Sequence, residues 1–309
     1  MNKKIIINSG TGLIGKYFLN EVLKKGYKPY LLTRNLETAR KTLSNYQNIE
    51  IYEFYPVKNK NSISNILDDS YAVINFSGAP ISKRKWTDEY KKILISSRVD
   101  VTKELVNQMK DCKNKPRVFI NMSAIGYYGF DYKEKVTEKS PPGKGFIPEL
   151  CINWEKEAMK AKEAGIRTVV LRTGIVLTHK GGALGRMAPV FKMFLGGVLG
   201  TGKQWMPFIH IDDLINLILY CIENESIAGA LNATSPHQVT NSEFTKTLAK
   251  VLKRPAVFKL PSFVLKIVLG DFAINVLEGI QVIPEKTLET GFKFKYEKLE
   301  NALANLLAK

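Results

Sequence analysis

The start of this chain constrains its fold more than any other stretch. Lys4 to Ile7 is a short β-branched run, and Gly10, Gly12 and Gly15 follow it directly. Tyr17, Phe18, Val22 and Leu23 then recur at helical spacing, and Gly26 stands where a C-cap belongs. Glycines spaced G-x-G-x-x-G arise in ordinary βα turns and loops, so the spacing alone says little. Set between a strand and a helix, it is the context a dinucleotide site needs. Glycine permits a tight turn and a close backbone approach to a pyrophosphate, which rests on the positive end of the helix. Gly10, Thr11, Gly12, Leu13, Ile14 and Gly15 are therefore the expected cofactor cradle.

Further strand patterns follow in rhythm: Lys28 to Thr33, Ile49 to Tyr55, Tyr71 to Phe76, Arg117 to Met122 and Thr168 to Leu171. Helical patterns separate them, including Glu89 to Met109 and a stretch around Trp154 to Ala164 closed by Gly165. Strands alternating with helices predict βαβ units, hence an α/β fold with a Rossmann-type, doubly wound parallel sheet. Ligands of such sheets lie at the carboxyl ends of the strands. The small-residue turn Ser77-Gly78-Ala79 ends the fourth strand and is expected to let a cofactor approach the backbone. Thr33 and Arg34 end the second strand, where an NAD-preferring site places an acid on the ribose hydroxyl. The first acid here is Glu37. A guanidinium can pair with a 2′-phosphate that a carboxylate would repel. Arg34 thus favours NADP(H) over NAD(H); a solvated arginine at a strand end is the plainer alternative.

From His179 the texture changes. Glycines punctuate short helical stretches as far as Gly202, Thr240-x-x-Glu243 forms a capping box, and a last amphipathic helix closes the chain. The expected division is 1–178 plus about 208–234 as the dinucleotide-binding part. A smaller, mostly helical substrate part takes about 179–207 plus 235–309, and the two share a cleft.

The formal charge is +17, yet no RNA-recognition, zinc-finger or helix-turn-helix pattern accompanies it. The lysines read as scattered over helix faces, drawing anionic cofactor or substrate, and nucleic acid is not the expected partner. Cys112, Cys151 and Cys221 have no metal or disulfide-framework spacing, which suggests a reducing, cytoplasmic compartment and no metal. The lysine-led start imitates a signal peptide, but its apolar run is too short. The longest apolar stretch, Phe263 to Ile280, carries Lys266, Asp271 and Glu278 and reads as a buried helical region, with no membrane partner.

Several segments together resemble a known family. Gly10-Thr-Gly-Leu-Ile-Gly15, Ser123 with Tyr128-Gly129, Leu171-Arg172-Thr-Gly174 and Ile209-His210-Ile-Asp-Asp213 resemble the extended short-chain dehydrogenase/reductases. Trp86-Thr87, Ser96-Ser-Arg98, Trp154-Glu155, Gly181-Gly182 and Gln204-Trp205 are similar to the markers of their atypical sugar nucleotide epimerase group. The resemblance implies further cofactor contacts from Arg98, Ser123, Arg172, Gly174 and Ile175. It implies a substrate cleft lined by Arg84, Trp86, Gln204, Trp205 and His210. Relatives often pair through helices, so it also allows a homodimer.

Two departures stand out. The extended pattern begins with a glycine at position 9, where this chain has Ser9, and Gly10 is expected to absorb the strain of the turn. The tyrosine and lysine of the usual Y-x-x-x-K pair fall on Cys151 and Glu155. Ser123 keeps the serine position. A phenol from Tyr127 or Tyr128 could replace the missing tyrosine, although Tyr128 could equally pack over its turn. Cys151 reads as proton donor or packing residue, Glu155 as base or capping carboxylate, and His210 as a hinge brace rather than an acid–base group. The leading expectation is an NADP-dependent oxidoreductase or epimerase acting on a small polar substrate. The alternative is an NADP-binding sensor or scaffold without turnover.

Overall fold

The computed structural model describes residues 3–55 and 62–308; Met1 and Asn2, which open the signal-like start, fall outside them. The strands are β1 (Lys4–Asn8), β2 (Lys28–Thr33), β3 (Glu50–Glu53), β4 (Ala72–Asn75), β5 (Val118–Ala124) and β6 (Arg167–Thr173). Shorter ones follow: β7 (Ile175–Leu177), β8 (Gly197–Leu199), β9 (Phe208–His210), β10 (Gly229–Ala233) and β11 (Phe258–Leu260). Seven form one parallel sheet in the order β10-β6-β5-β4-β1-β2-β3, while β7 pairs with β9 and β8 with β11.

The helices are α1 (Leu13–Lys24), α2 (Leu36–Thr42), α3 (Ser64–Leu67), α4 (Asp88–Ile95), α5 (Val101–Lys110) and α6 (Phe146–Met159). They continue as α7 (Gly182–Lys192), α8 (Ile211–Glu223), α9 (Asn241–Leu252) and α10 (Ser262–Leu269). Successive strand residues point to opposite faces, and the two cores divide accordingly. Ile5, Ile7 and Ile74 join Phe18, Val22 and Ile218 on one side; Ile6 and Val73 join Leu105, Met109 and Ala158 on the other. Burial on both faces is why the central strands read as continuous apolar runs.

The helix expected over Glu89 to Met109 is one rod with an irregularity. Alpha-helical α4 and α5 are joined by a π turn at Ser96–Asp100, which widens the rod where Ser97 and Arg98 leave it. Helix α6 begins at Phe146, earlier than expected, because Pro148 sits in its first turn, where a missing N–H costs nothing.

The apolar stretch after residue 262 departs furthest from its reading. It breaks into short helices at Gly270, and within α10 only Leu265 is buried. The C-terminal segments are nevertheless clamped to the sheet. Asp213 accepts from the backbone N–H groups of Lys295 and Tyr296, and Glu138 from those of Asn232 and Lys286.

Candidate functional site

The chain moves outward from β1 through β2 to β3, then crosses back to β4 and continues the other way. The connections after β1 and β4 therefore part, and a crevice opens there. It holds about 440 Å³ and is lined by Asn8, Ser9, Thr11, Gly12, Thr33 and Arg34, with Ser77, Gly78 and Ala79 opposite.

Each glycine of the turn has its own reason. A Cβ on Gly10 would stand 2.3 Å from Leu31, and one on Gly15 would stand 2.5 Å from the Gly10 carbonyl oxygen. These two let α1 press against β1 and β2. A Cβ on Gly12 would come no nearer to the protein than 3.7 Å, at Ser9 O. Its bareness serves no packing and leaves room for a ligand beside the backbone. Gly12 caps α1 without a side-chain bond, and the first turn carries no acid, so its N–H groups meet an anion unopposed. Ser9, not Gly10, takes the left-handed conformation, at φ +61°. Gly10 cannot absorb the strain as expected, because it is wedged against Leu31 and Ile7.

Opposite the turn, Ser77 Oγ is buried with no hydrogen-bond partner among the described residues. Arg98 lies under the same segment, its guanidinium 3.0 Å from where a Gly78 Cβ would be and donating to Ala79 O at 2.9 Å. Burial pulls its pKa below the ordinary arginine value, with no carboxylate among the charges acting on it. A glycine turn, an uncapped helix start, an orphaned hydroxyl and an unneutralised arginine suit a dinucleotide. When bound, such a cofactor supplies hydride exchange. Arg34 is exposed at the rim beside Asn35 and Thr38, at the end of β2.

An amide ladder that the motifs do not announce runs across this edge. Asn8 donates to Asn75 at 2.8 Å, and Asn75 donates to Asn121 at 2.7 Å and to Thr102 at 2.8 Å. Asn121 donates to Met122 O, and Trp154 Nε1 donates to Thr102. The legible signal was an asparagine ending each of two strands and a third in register with them.

Two strands away, the residues expected to do chemistry close on one another. Ser123 Oγ donates to Glu155 at 2.7 Å, and Arg172 grips both Glu155 oxygens, with the shortest contact 2.8 Å. Arg172 also donates to Tyr128 Oη at 3.0 Å, and Tyr128 donates onward to Asn232. Its guanidinium carbon lies 3.4 Å from the Tyr127 ring centre. Burial alone would lower the Arg172 pKa, but Glu155 and Tyr128 more than reverse that. Arg172 is thus neutralised and bound, and unlike Arg98 it has no charge to spare for an anion. Burial pushes Tyr128 up to about 12. Cys151 also rises to about 12, through burial and then the nearby Glu155. Both side chains are buried, Tyr128 at the turn after β5 and Cys151 in α6.

The expected substrate-side residues are not brought together. Trp86 is buried between Phe146 and Phe272 and donates to Ile81 O, so it packs rather than lining a cleft. Arg84 is exposed beside Tyr90. His210 is buried, accepts from Asp212 N to cap α8 and stacks 3.8 Å from Tyr296, where it braces the clamp. Gly174 lacks a side chain because Pro207 O would lie 2.5 Å from its Cβ, and Ile175 pairs with Phe208. Both serve the β7–β9 junction and do not line the crevice. Gln204 and Trp205 line a second cavity of about 390 Å³ with Tyr132, Lys203 and Lys266. Gln204 Nε2 bonds Leu199 O and Val276 O, which leaves its buried Oε1 without a partner among the described residues.

A parallel sheet whose switch-point crevice carries a glycine turn and a bare helix start is a nucleotide-binding fold of the short-chain dehydrogenase/reductase kind. The chain belongs to the NAD dependent epimerase/dehydratase family, whose model matches residues 5–233, and residues 260–306 match a domain of unknown function, DUF1731. The chloroplastic epimerase family protein SDR39U1 homolog of Arabidopsis thaliana is 36% identical over 98% of this chain and 86% of its own length. Epimerase family protein YfhF of Bacillus subtilis (strain 168) is 34% identical over 98% of each chain. The crystal structure of human epimerase family protein SDR39U1 (isoform 2) with NADPH superposes with a TM-score of 0.87 at 29% identity, over 99% of both chains. UDP-glucuronic acid 4-epimerase from Bacillus cereus, in complex with UDP-glucuronic acid and NAD, gives 0.80 at 18% identity over 99% and 98%, a likeness of fold alone.

Proposed function

We propose that the chain binds NADP(H) in preference to NAD(H) and uses it to oxidise or epimerise a hydroxyl-bearing, small polar substrate. The observation that carries the cofactor half is the exposed Arg34 at the end of β2, with no acid in the ribose position. The similarity to a human protein solved with NADPH supports it. Arg34 would hold the 2′-phosphate, Gly12 and the start of α1 the pyrophosphate, and Ser77 and Arg98 the side nearer the chemistry.

For the reaction, Ser123 carries the substrate oxygen. Its proton is committed to Glu155, which would leave its oxygen as the acceptor for a substrate hydroxyl. Arg172 holds the carboxylate in that pose through three hydrogen bonds. A second reading, a non-catalytic NADP sensor or scaffold, is favoured by the lack of a proton donor near neutrality in Cys151 and Tyr128.

Calorimetric titration with NADPH and NADH tests the cofactor half. Arg34→Ala should weaken NADPH by about 10–100-fold, the worth of a charge-assisted phosphate contact, and leave NADH nearly unchanged. Equal losses for both nucleotides would refute the assignment. NADPH consumption against carbonyls, and product analysis with sugar nucleotides because epimerisation consumes no net cofactor, in wild type and Ser123→Ala, then separate turnover from sensing.

A further inference from the structure

Many of the large apolar side chains that stand out in solvent come from two segments, remote in sequence from the crevice, that β8 and β11 bring together. Pairing of β8 with β11 sets Gly197 against Phe258 and Leu199 against Leu260. Gly197 permits this because a Cβ there would lie 2.2 Å from Phe258 O. Met193, Phe194 and Leu195 are thereby brought beside Val257 and Phe258, and α10 continues the face with Phe263, Ile267 and Val268. Exposure is high: 77% at Val257, 69% at Ile267 and 65% at Phe263. Phe194 is held at φ +64°, a conformation bulky residues rarely take, with Arg254 4.9 Å from its ring centre.

The charges decide what could cover this face. Residues 186–205 and 253–270 contain Arg186, Lys192, Lys203, Lys253, Arg254, Lys259 and Lys266, and no aspartate or glutamate. A second copy would meet it through a two-fold axis, setting basic rim against basic rim. An anionic surface satisfies both features at once. Apolar side chains enter the acyl boundary while lysines lie at headgroup level, the pattern of interfacial binding.

We propose that this face docks the protein on an anionic lipid surface, lying on it rather than crossing it. Among the described residues no helix is long and apolar enough to span a membrane. The charges in the stretch after residue 262 point to a buried helical region and not to a membrane, but α10 leaves Phe263, Ile267 and Val268 exposed.

Co-sedimentation with vesicles tests this directly, using the full chain and either pure phosphatidylcholine or a mixture with one third phosphatidylglycerol. The wild type should pellet with the anionic vesicles, and salt should release it. Phe263→Asp with Ile267→Asp should weaken the partition at least tenfold while the thermal transition stays in place. Lys259→Glu with Lys266→Glu should do the same, each lysine at such a surface being worth about fivefold. Equal partition to neutral vesicles, or no effect of either pair, overturns the proposal. So does light scattering that shows a dimer lost in the aspartate pair, or an absence of vesicle binding with capture by an acidic protein.

Discussion

At the carboxyl ends of β1 and β4 the polar groups face a crevice; at the ends of β5 and β6 they face each other. Ser77 and the first turn of α1 leave donors for a guest, and Arg98 leaves charge. Ser123, Glu155, Arg172 and Tyr128 satisfy one another in a closed circuit. Both sets lie along one edge of one sheet, so the fold does not dictate the difference. It comes from the residue at position 155. A carboxylate there, where the family pattern has a lysine, holds Arg172 in a buried ion pair. The lesson is that one sheet edge can hold polar groups open at one pair of strands and pair them off at the next.

The contrast can be broken first at its strongest point. Arg172→Met leaves Glu155 buried and uncompensated and should cost about 3–5 kcal/mol in urea unfolding. A loss below about 1 kcal/mol would mean that the circuit is not closed in solution. Next comes one substitution at two glycines. Gly15→Ala drives a methyl into the Gly10 carbonyl and should destabilise by about 1–3 kcal/mol. Gly12→Ala meets no protein atom closely, so the melting temperature should hold while NADPH affinity falls about tenfold or more, because the methyl pushes the pyrophosphate off the N–H groups that would hold it. If both alanines act on stability alone, Gly12 is not facing a ligand. The smallest effect belongs to Ser9→Gly, which relieves the left-handed serine but adds freedom to the unfolded chain. A net gain of about 0.5–1 kcal/mol is expected from thermal unfolding.

The cradle was legible because it depends on local spacing, and the sheet because buried parallel strands are continuous apolar runs. Contacts made across strands were harder to read. Nothing in the spacing of Glu155 and Arg172 says that they meet, because their separation is closed by the α6–β6 crossover. Trp86 and His210 carry family patterns, yet the distant Phe272 and Tyr296 decide that they pack. The apolar stretch after residue 262 misled for a different reason. Hydropathy reports that a segment avoids water without saying which partner removes it.

The amide ladder has a direction. Each asparagine gives its nitrogen to the next, and the last gives its own to the Met122 carbonyl, which cannot reverse roles. Turning one side chain over would set oxygen against oxygen at its neighbour, so the three share one fixed orientation. The atom that Asn8 has left to show an incoming nucleotide, its oxygen, is therefore settled at β5, two strands from where the nucleotide would lie.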